Sequence, residues 1–518
     1  MKKKITIVTL ALLITTSLFL KSNSYAQDGS LDLSFGTNGK VISNIGSLYD
    51  EITSIAVQSD GKIVVAGYSY PLVYPDFALA RYLTNGTLDN TFGINGIVTT
   101  SICSLHDYGN SMAIQSDGKI VIAGTTQDSI KGYSVVAVAR YNSNGTLDIN
   151  FGNNGIVTTS VGNFNDYGNA LALQSNGDIT VAGTTEINSN GNKQMFAIRY
   201  HSGGVPDLAF NYDGIALSNF GDSSASCYSL LIQNDNKIVL AGNSVNNSNP
   251  NFAIARFNTD GSLDNSFNYD GKDTVSISTT INYCLSVALQ SDGKIVMAGY
   301  SHNGFNTDFT LVRYNTNGII DSTFGTNGKV TTAIGNSEDQ ISSIVIQSDD
   351  KILAAGYNYN GSNYDFALAR YNSNGSLDNT FDSDGKLTTD FSSHVDFGTA
   401  IALQSDGKIL VAGSSKYAGD ADFALARYNN TITRINEMNN QIWLSEIYPN
   451  PATEMIVIKA NSNLSGMYYS IFNILGKVVI KGKLNSEATS INVNKLNCGL
   501  YFIQVEGQNQ QSLKFIKE

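Results

Sequence analysis

Short apolar runs alternate with clusters of glycine, asparagine, aspartate and serine along most of the chain. In the first of several similar segments the apolar runs are Lys40–Ser43, Ser54–Gln58, Lys62–Tyr68 and Phe77–Tyr82. Runs of this length between turn formers predict β-strands, and no segment sustains the 3.6-residue period of an amphipathic helix. The Ser-Asp-Gly sequence at 59–61 predicts a tight hairpin, because Asp-Gly tolerates the positive φ angles of a short turn. The pattern therefore predicts an all-β protein.

This set of runs recurs seven times. Variants of the decapeptide QSDGKIVVAG begin at Gln58, Gln115, Gln174, Gln233, Gln290, Gln347 and Gln404. A second phrase, FALARY and its variants, places an arginine at positions 81, 140, 199, 256, 313, 370 and 427. Four short strands per unit match a propeller blade, and the main alternative, a β-helix, has shorter coils. We therefore predict a seven-bladed β-propeller with four strands per blade over residues 27–430.

A third phrase, LDxxF, places an aspartate eight residues after the repeat arginine. Two residues are left over at the ends of the array, because Asp32 has no preceding arginine and Arg427 has no following aspartate. In a closed ring they meet and complete the seventh unit from both chain ends. The spacing thus predicts a structural ion pair in each repeat. The predicted pairs include Arg81–Asp89, Arg140–Asp148 and Arg427–Asp32.

These phrases resemble the delta-60 repeat family, a β-propeller family found in secreted bacterial proteins. The resemblance rests on SDGKIVVAG, on FALARYxxNGxLDxxFGxxGxV and on the repeat period, and it covers residues 29–428. It implies the same propeller fold.

The repeat ends after Tyr428, and residues 431–442 form a polar segment that we interpret as a linker. Alternating apolar positions between glycine and asparagine turns then predict a small β-sandwich over residues 443–518. This tail resembles the type A C-terminal sorting domain of the type IX secretion system. The matching residues are Tyr448, Pro449, Asn450, Pro451, Gly476, Lys477, Gly499 and Tyr501. The resemblance implies contact with the secretion machinery and export across the outer membrane of a gram-negative bacterium, to be released or held at the cell surface. The alternative is a small adhesive domain without a sorting role.

The N-terminus has the pattern of a secretory signal peptide. Three lysines at 2–4 precede an apolar run from Ile5 to Leu20, and Ser24 and Ala26 supply the small residues of a cleavage site after Ala26. A membrane anchor is the alternative, but the run is short for a bilayer span. We predict that residues 1–26 are removed and that the mature chain has no membrane span.

Charge and cysteine content exclude several kinds of partner and site. The net charge is -12 and charged residues make up only 15% of the chain, whereas nucleic acids and anionic membranes require a basic surface. The four cysteines are far apart, which disfavours a zinc site. Cys227 and Cys284 lie at equivalent points of adjacent repeats, where buried thiols are favoured over a disulfide.

Antiparallel strands divide the propeller into two faces. The SDGK hairpin and the LDxxF connection share one face, which is nearly identical in every repeat. The loops of the other face, called the variable face below, differ between repeats, and repeat proteins vary the loops that bind. This face carries an acid or amide eight residues before most of the recurrent glutamines, followed in three repeats by tyrosine. The candidate binding residues are Asp50, Asp107, Tyr108, Asp166, Tyr167, Asn282, Tyr283, Asp339 and Asp396.

Two roles are open for these carboxylates. They could bind a cation such as calcium or hydrogen-bond to sugar hydroxyls beside the tyrosines, or they could open turns and cap strand entries. The structural role is favoured, because calcium needs six or more converging oxygens and these residues lie on separate blades. We therefore predict no cofactor, with calcium as the one candidate cation.

The sequence contains no GxSxG, HExxH or phosphate-binding motif. We interpret the propeller as a non-enzymatic binding scaffold at or outside the cell surface, for a glycan, peptide or matrix ligand. The alternative is an extracellular hydrolase or lyase that uses carboxylates of the variable face, with Asp107 and Asp166 as candidates.

Overall fold

The structure, a computed structural model, describes residues 27–430 except 47, 104, 222–223, 247–248 and 418, and residues 444–518 except 461–467, 474–476, 485–487 and 506–511. Regular secondary structure in these residues is β-strand, and they include no helix with the length and hydropathy of a membrane span. The chain forms two compact units that divide after residue 432. The predicted signal peptide and linker lie outside the described residues.

The described residues of the first unit contain twenty-eight strands. They are β1 (Lys40–Ser43), β2 (Asp50–Val57), β3 (Ile63–Ser69), β4 (Asp76–Tyr82), β5 (Ile97–Thr100), β6 (Asp107–Ile114), β7 (Ile120–Gln127), β8 (Ser134–Tyr141), β9 (Ile156–Thr159), β10 (Asp166–Leu173), β11 (Ile179–Glu186), β12 (Lys193–Tyr200), β13 (Ile215–Ser218), β14 (Ser224–Ile232), β15 (Ile238–Asn246), β16 (Asn249–Phe257), β17 (Lys272–Val275), β18 (Asn282–Leu289), β19 (Ile295–His302), β20 (Thr307–Tyr314), β21 (Lys329–Thr332), β22 (Asp339–Ile346), β23 (Ile352–Tyr359), β24 (Tyr364–Tyr371), β25 (Lys386–Thr389), β26 (Val395–Leu403), β27 (Ile409–Tyr417) and β28 (Asp420–Tyr428).

These strands form seven four-stranded antiparallel sheets, the blades of a propeller. Blades 1 to 6 each use four consecutive strands, from β2–β5 to β22–β25. Blade 7 has the order β1-β28-β27-β26, with Lys40 opposite Ala426 and Ser43 opposite Phe423. The sequence pattern assigned Lys40–Ser43 to the first repeat, but its backbone pairs with the last blade. Both ends of the array therefore complete blade 7.

The blades pack face to face around the ring. The middle strands β3 and β4 are buried along almost their whole length. One apolar cluster joins Val64 and Phe77 of blade 1 to Ile120 and Ala139 of blade 2. The first strand of each blade packs on the first strand of the next, including β26 on β2. The core is thus a set of apolar layers between neighbouring blades.

Every first strand carries a β-bulge at the same place. Pairing of β2 with β3 passes from Ile52 to Ser54 and leaves Thr53 without a partner residue. The equivalent bulge residues are Asn110, Asn169, Tyr228, Leu285, Ser342 and Thr399. The bulge brings the strand close to the glycine that ends QSDGKIVVAG, since a Cβ atom at Gly67 would lie 1.9 Å from the carbonyl oxygen of Glu51. Glycine is required there because it lacks that atom.

Bulge side chains also connect neighbouring blades. Thr53 Oγ1 donates a hydrogen bond to the Gly109 carbonyl oxygen at 2.8 Å, and Asn110 Nδ2 donates to the Gly168 carbonyl oxygen at 2.8 Å. Two further bonds of this kind are Asn169 Nδ2 to the Cys227 carbonyl and Thr399 Oγ1 to the Ile52 carbonyl. The bond from Thr399 to Ile52 crosses from blade 7 to blade 1.

An arginine on the third strand of each blade makes a buried ion pair. Its Nε lies 2.7–2.9 Å from an aspartate Oδ2 in all seven blades. In six blades the aspartate follows the arginine by eight residues, and in blade 7 Arg427 pairs with Asp32 at 2.8 Å. The side chains of Arg427 and Asp32 are only 6% and 8% exposed. The seventh pair thus joins the two ends of the array.

The same arginine contacts the next blade. Arg81 of blade 1 donates to the Ser143 carbonyl oxygen of blade 2, and Arg427 of blade 7 donates to the Thr84 carbonyl oxygen of blade 1. Each guanidinium also lies over a phenylalanine ring, as Arg81 does at 4.6 Å from the centroid of Phe92. These contacts satisfy the guanidinium and neutralise its charge inside the blade junction.

The lysine of SDGK is a second cation on the aspartate. Its Nζ lies 2.7–3.6 Å from the paired aspartate in six blades. Blade 3 differs, because Asp178 replaces the lysine and His201 lies between Asp178 and Asp207, at 3.2 Å and 3.6 Å. The recurrent decapeptide therefore supplies both the glycine of the bulge and a charge of the ion-pair network.

The part of the second unit that the structure describes contains seven strands in two sheets. They are β29 (Leu444–Tyr448), β30 (Met455–Ala460), β31 (Tyr468–Asn473), β32 (Val478–Lys483), β33 (Ala488–Asn492), β34 (Gly499–Val505) and β35 (Ser512–Lys517). The sheet orders are β29-β30-β33 and β32-β31-β34-β35. Ile456 and Ile491 of one sheet share a core with Ile471 and Phe515 of the other, which agrees with the predicted small β-sandwich.

Removal of the Asp32 carboxylate, which pairs the N-terminal end of the array with Arg427, should destabilise the propeller. We expect Asp32→Ala to lower the free energy of unfolding by about 3–5 kcal/mol, because it leaves the Arg427 guanidinium buried without its partner. Urea unfolding of the purified protein measures this change. The exposed Asp406, 3.9 Å from Lys408, provides the control, since Asp406→Ala should change stability by less than about 0.5 kcal/mol. Equal effects of the two substitutions would contradict a structural role for the Arg427–Asp32 pair.

The ion pairs also predict how stability depends on pH. Burial raises the pKa of Asp321, but hydrogen bonds from Thr323 and the charges of Arg313 and Lys294 outweigh it and hold the pKa at about 2. A folded pKa below the unfolded value near 4 stabilises the protein above that value, and this stabilisation is lost as the pH falls towards 2. The destabilisation caused by Asp321→Asn should therefore be full above about pH 5 and shrink between about pH 4 and pH 2.

Urea unfolding of the wild type and the variant at pH 7, 4 and 2 tests this dependence. Asp384→Asn is the matched control, because the Asp384 side chain is 60% exposed. A stability difference between wild type and Asp321→Asn that stays constant from pH 7 to pH 2 would refute the assignment.

Candidate binding surface

The acids and the amide among the candidate binding residues are buried. Asp50, Asp107, Asp166, Asn282, Asp339 and Asp396 are at most 1% exposed. Their side chains accept hydrogen bonds from backbone N–H groups of the preceding loop, for example from Ile45 and Gly46 to Asp50 Oδ2, both at 2.9 Å. These side chains are therefore not exposed on the variable face, and their hydrogen bonds go to the loops that precede the first strands.

Burial shifts the pKa of four of these carboxylates. Desolvation raises the pKa of Asp50, Asp166, Asp339 and Asp396, because the charged form loses its hydration. Backbone N–H donors act in the opposite direction on each of them. Through these N–H groups the carboxylates hold the loops that lead into the first strands.

Asp107 and Asp166 illustrate this role. Asp107 Oδ1 accepts a hydrogen bond from Thr126 Oγ1 at 2.5 Å, and Oδ2 accepts one from the Ile102 N–H at 2.7 Å. Asp166 accepts from the Val161 N–H at 2.8 Å. Neither side chain is exposed, so the structure does not place them where a general acid and base would reach a polymer substrate.

Two of the three predicted tyrosines line a common cavity. A cavity of about 330 Å³ lies at the variable face where blades 2, 3 and 4 meet, and Tyr108 and Tyr167 form part of its wall. Tyr283 lies elsewhere, on blade 5, with its ring 5.4 Å from the ring of Tyr300. The structure thus brings Tyr108 and Tyr167 together and separates Tyr283 from them.

The remaining lining residues come from the same three blades. They are His106, Asn110, Thr125, Ser134, Asn169, Thr184, Lys193, Ser226 and Tyr228. Lys193 lies 5.7 Å from the centre of the Tyr167 ring, within the range of a cation–π contact. Burial raises the pKa of both Tyr167 and Tyr228, so their phenols are neutral donors near pH 7. The wall therefore combines aromatic faces, amides, hydroxyls and one ammonium group.

An aromatic cluster continues from this cavity onto blade 1. The Tyr68 and Tyr108 rings meet edge to face at 5.0 Å, and Tyr74 contacts His106 at 4.9 Å. The Tyr68 hydroxyl donates to Glu51 at 2.6 Å. Sequence reasoning missed this cluster, since its members occupy different positions of the repeat.

The other sequence predictions fall outside the cavity. The four cysteines are free, and Cys227 and Cys284 are buried. In the tail, Asn450 Oδ1 accepts a hydrogen bond from the Ile516 N–H at 2.9 Å, which ties the Tyr-Pro-Asn-Pro segment, residues 448–451, to the last strand. Tyr501 stacks on Phe515 at 5.6 Å. Gly499 begins β34 and the Lys477 N–H donates to Asn473 Oδ1, whereas Gly476 lies outside the described residues.

The fold and the tail define a secreted β-propeller protein. Seven segments match the family model described as a domain of unknown function (DUF5122) beta-propeller, at residues 58–92, 115–151, 174–210, 233–267, 290–324, 347–381 and 404–431. Residues 446–518 match the secretion system C-terminal sorting domain. The chain belongs to the DUF5122 beta-propeller family and ends in a sorting domain. This domain directs the protein to the type IX secretion machinery and to the outer surface of a gram-negative bacterium.

No curated protein sequence matches the chain. Among solved structures it is similar to virginiamycin B lyase from Staphylococcus aureus, with 13% identity, a TM-score of 0.44 and coverage of 75% of this chain and 98% of that chain. It is also similar to PorZ, a surface component of the type IX secretion system of Porphyromonas gingivalis, with 13% identity, a TM-score of 0.36 and coverage of 91% and 59%. The polysaccharide lyase Uly1 has 11% identity, a TM-score of 0.43 and coverage of 76% and 92%. At these scores the likenesses carry no functional argument.

The tail should act as a transferable export signal. We expect a periplasmic reporter fused to residues 443–518 to appear outside the cell in a host with a type IX system, because the tail forms a compact unit of its own. Fractionation of culture medium, surface and periplasm measures this export. The same fusion in a secretion-deficient strain is the control, and a reporter that stays periplasmic in the competent host would contradict the sorting role.

Proposed function

We propose that the propeller is a non-enzymatic binding module that holds a glycan at or outside the cell surface. The observation that carries the proposal is the convergence of Tyr108, Tyr167 and Tyr228, from three adjacent blades, on one cavity of the variable face. This face is also where the loops of the repeats differ, which suits recognition of a particular ligand.

The chemistry of the wall supports a sugar. A pyranose ring presents apolar C–H faces and polar hydroxyl edges, and aromatic rings with nearby amides and hydroxyls complement both. The cavity volume of about 330 Å³ is in the lower range of small-molecule sites. Tyr68 and Tyr74 extend the aromatic surface beyond the cavity. This surface is long enough for several sugar units of an oligosaccharide to contact it.

The single ammonium group favours an acidic sugar. Lys193 is the cavity's lysine, and it lies beside Tyr167. A carboxylate or sulfate on the ligand would pair with it in a partly desolvated setting, where charge-assisted hydrogen bonds are strongest. Binding rather than turnover is supported by the burial of Asp107 and Asp166, the carboxylates that the sequence analysis gives as candidates for catalysis.

Substitution of one cavity tyrosine should remove binding. A glycan array with neutral and acidic oligosaccharides identifies the ligand, and calorimetry with the strongest binder gives its affinity. We expect Tyr167→Ala to weaken binding at least about tenfold, which corresponds to about 1.4 kcal/mol, and Lys193→Met to weaken acidic ligands selectively.

Tyr283→Ala provides the matched control. Tyr283 occupies the same repeat position as Tyr167 but packs on Tyr300 outside the cavity. This control should keep wild-type affinity. An equal loss in Tyr167→Ala and Tyr283→Ala, or an array without a binder, would refute the proposal.

A further inference from the structure

Several blade junctions hold two carboxylates that interact with each other. One belongs to the third strand of a blade, and the other is the buried aspartate at the first strand of the next blade. The pairs are Asp76–Asp107, Asp308–Asp339, Asp365–Asp396 and Asp422–Asp50. Two charges of the same sign in a partly buried site repel each other and require compensation by a proton or a cation.

At the junction of blades 4 and 5, two uncharged amide side chains replace the pair of carboxylates. The equivalent positions there are Asn251 and Asn282, and Asn282 Nδ2 donates a hydrogen bond to Asn251 Oδ1 at 3.3 Å. The fold thus accepts an uncharged, hydrogen-bonded pair at this place. Carboxylates are therefore not required by the blade packing itself.

The junction of blades 6 and 7 contains a third carboxylate. Asp390, in the connection between β25 and β26, joins Asp365 and Asp396, and one carboxylate oxygen from each of the three lies within 4.8 Å of the others. Asp365 and Asp396 are buried, whereas Asp390 is exposed. The cluster is thus held by two buried groups and open to solvent on the side of the third.

Two oxygens of this cluster lack a hydrogen bond. Oδ1 of Asp365 and Oδ1 of Asp396 are buried, and within the described part of the chain no donor reaches either of them. Oδ2 of Asp365 accepts a hydrogen bond from Asn360 Nδ2 at 2.8 Å. At the junction of blades 5 and 6, Asn358 binds Asp339, and among the described carboxylate oxygens there only Oδ1 of Asp308 is left without a donor. Two buried carboxylate oxygens without donors beside a third carboxylate leave room for a bound cation.

The nearest lysine is engaged with backbone. Lys40 Nζ donates to the Asp390 carbonyl oxygen at 2.8 Å and lies over the Phe391 ring. The equivalent lysines of three other blades, Lys272, Lys329 and Lys386, donate to backbone carbonyls in the same way. This contact is a general feature of the repeat and not an adaptation to the acidic cluster.

We propose that Asp365, Asp390 and Asp396 bind one calcium ion between blades 6 and 7. Calcium takes oxygen ligands at 2.3–2.6 Å, so ligands of one ion lie at most about 5 Å from one another. The three oxygens of this cluster, all within 4.8 Å of one another, meet this limit. Three carboxylates more than balance the charge of a divalent ion, and water on the exposed side supplies the remaining ligands. With few protein ligands, the dissociation constant belongs to the range of extracellular modules, roughly 10⁻⁴ to 10⁻³ M.

Bound calcium would link the closing blade to its neighbour. Asp396 lies on β26, in the blade that both chain ends complete, and Asp365 lies on β24 of the preceding blade. An ion that binds only the folded ring stabilises it by mass action. This proposal is independent of the glycan site, which lies on blades 2 to 4.

The test compares the purified protein with a double variant that copies the natural neutral pair. Asp365→Asn with Asp396→Asn reproduces the Asn251–Asn282 arrangement, so it should fold. Equilibrium dialysis with radioactive calcium, up to about 5 mM, counts the ions bound per chain. We expect the double variant to bind one calcium fewer than the wild type, and the melting temperature of the variant to respond less to calcium.

Two further variants keep the outcome interpretable. Asp390→Asn, at the exposed ligand, should weaken calcium binding by roughly tenfold or more without disturbing the buried pair. Asp384→Asn, an exposed acid of the opposite face, should bind as many ions as the wild type. A wild type that binds no calcium, or a double variant and Asp390→Asn that both bind as the wild type does, would overturn the proposal.

Discussion

A buried guanidinium at each blade junction is the contact on which the ring depends. It joins three partners at once, an aspartate of its own blade, a phenylalanine ring beneath it and a carbonyl oxygen of the next blade, as seen for Arg81. Since the charge is buried, each partner is needed to satisfy it. The repeated phrases of the sequence are therefore the parts of one junction, copied seven times.

The junction explains why so much of the repeat is uniform and why the binding surface lies elsewhere. Aspartate, arginine, lysine and the terminal glycine of the decapeptide all serve packing between or within blades. Only the loops of the opposite face are free of these demands. On the first strands of blades 2 to 4, Tyr108, Tyr167 and Tyr228 surround one cavity of that face, whose wall does not include Tyr283.

Much of the fold could be predicted from the sequence, because the repeat period, the turn residues and the strand lengths are local features. Each of these features occurs in all seven repeats. The pairing of Arg427 with Asp32 followed from counting, since the two residues are the unmatched ends of a regular series. The bulge at Thr53 was not visible, because any residue type can occupy it. The aspartates at the start of the first strands could be found from their repeat position, but sequence alone does not show whether such a side chain points to solvent or back to the loop. Convergence of Asp365, Asp390 and Asp396 likewise depends on residues from two blades and a loop, which no spacing along the chain reveals.

Completion of blade 7 by β1 has a consequence for how the protein is made. Until β1 docks, β28 is an edge strand, and the backbone groups that later pair with Lys40–Ser43 are unsatisfied. Such an edge accepts a strand from any chain, including another copy of this protein. A chain that lacks β1 would therefore lose the stability that this strand contributes. It would also expose the edge of β28 as a site for aggregation. The short strand β1 thus protects the protein from aggregation in addition to closing the propeller.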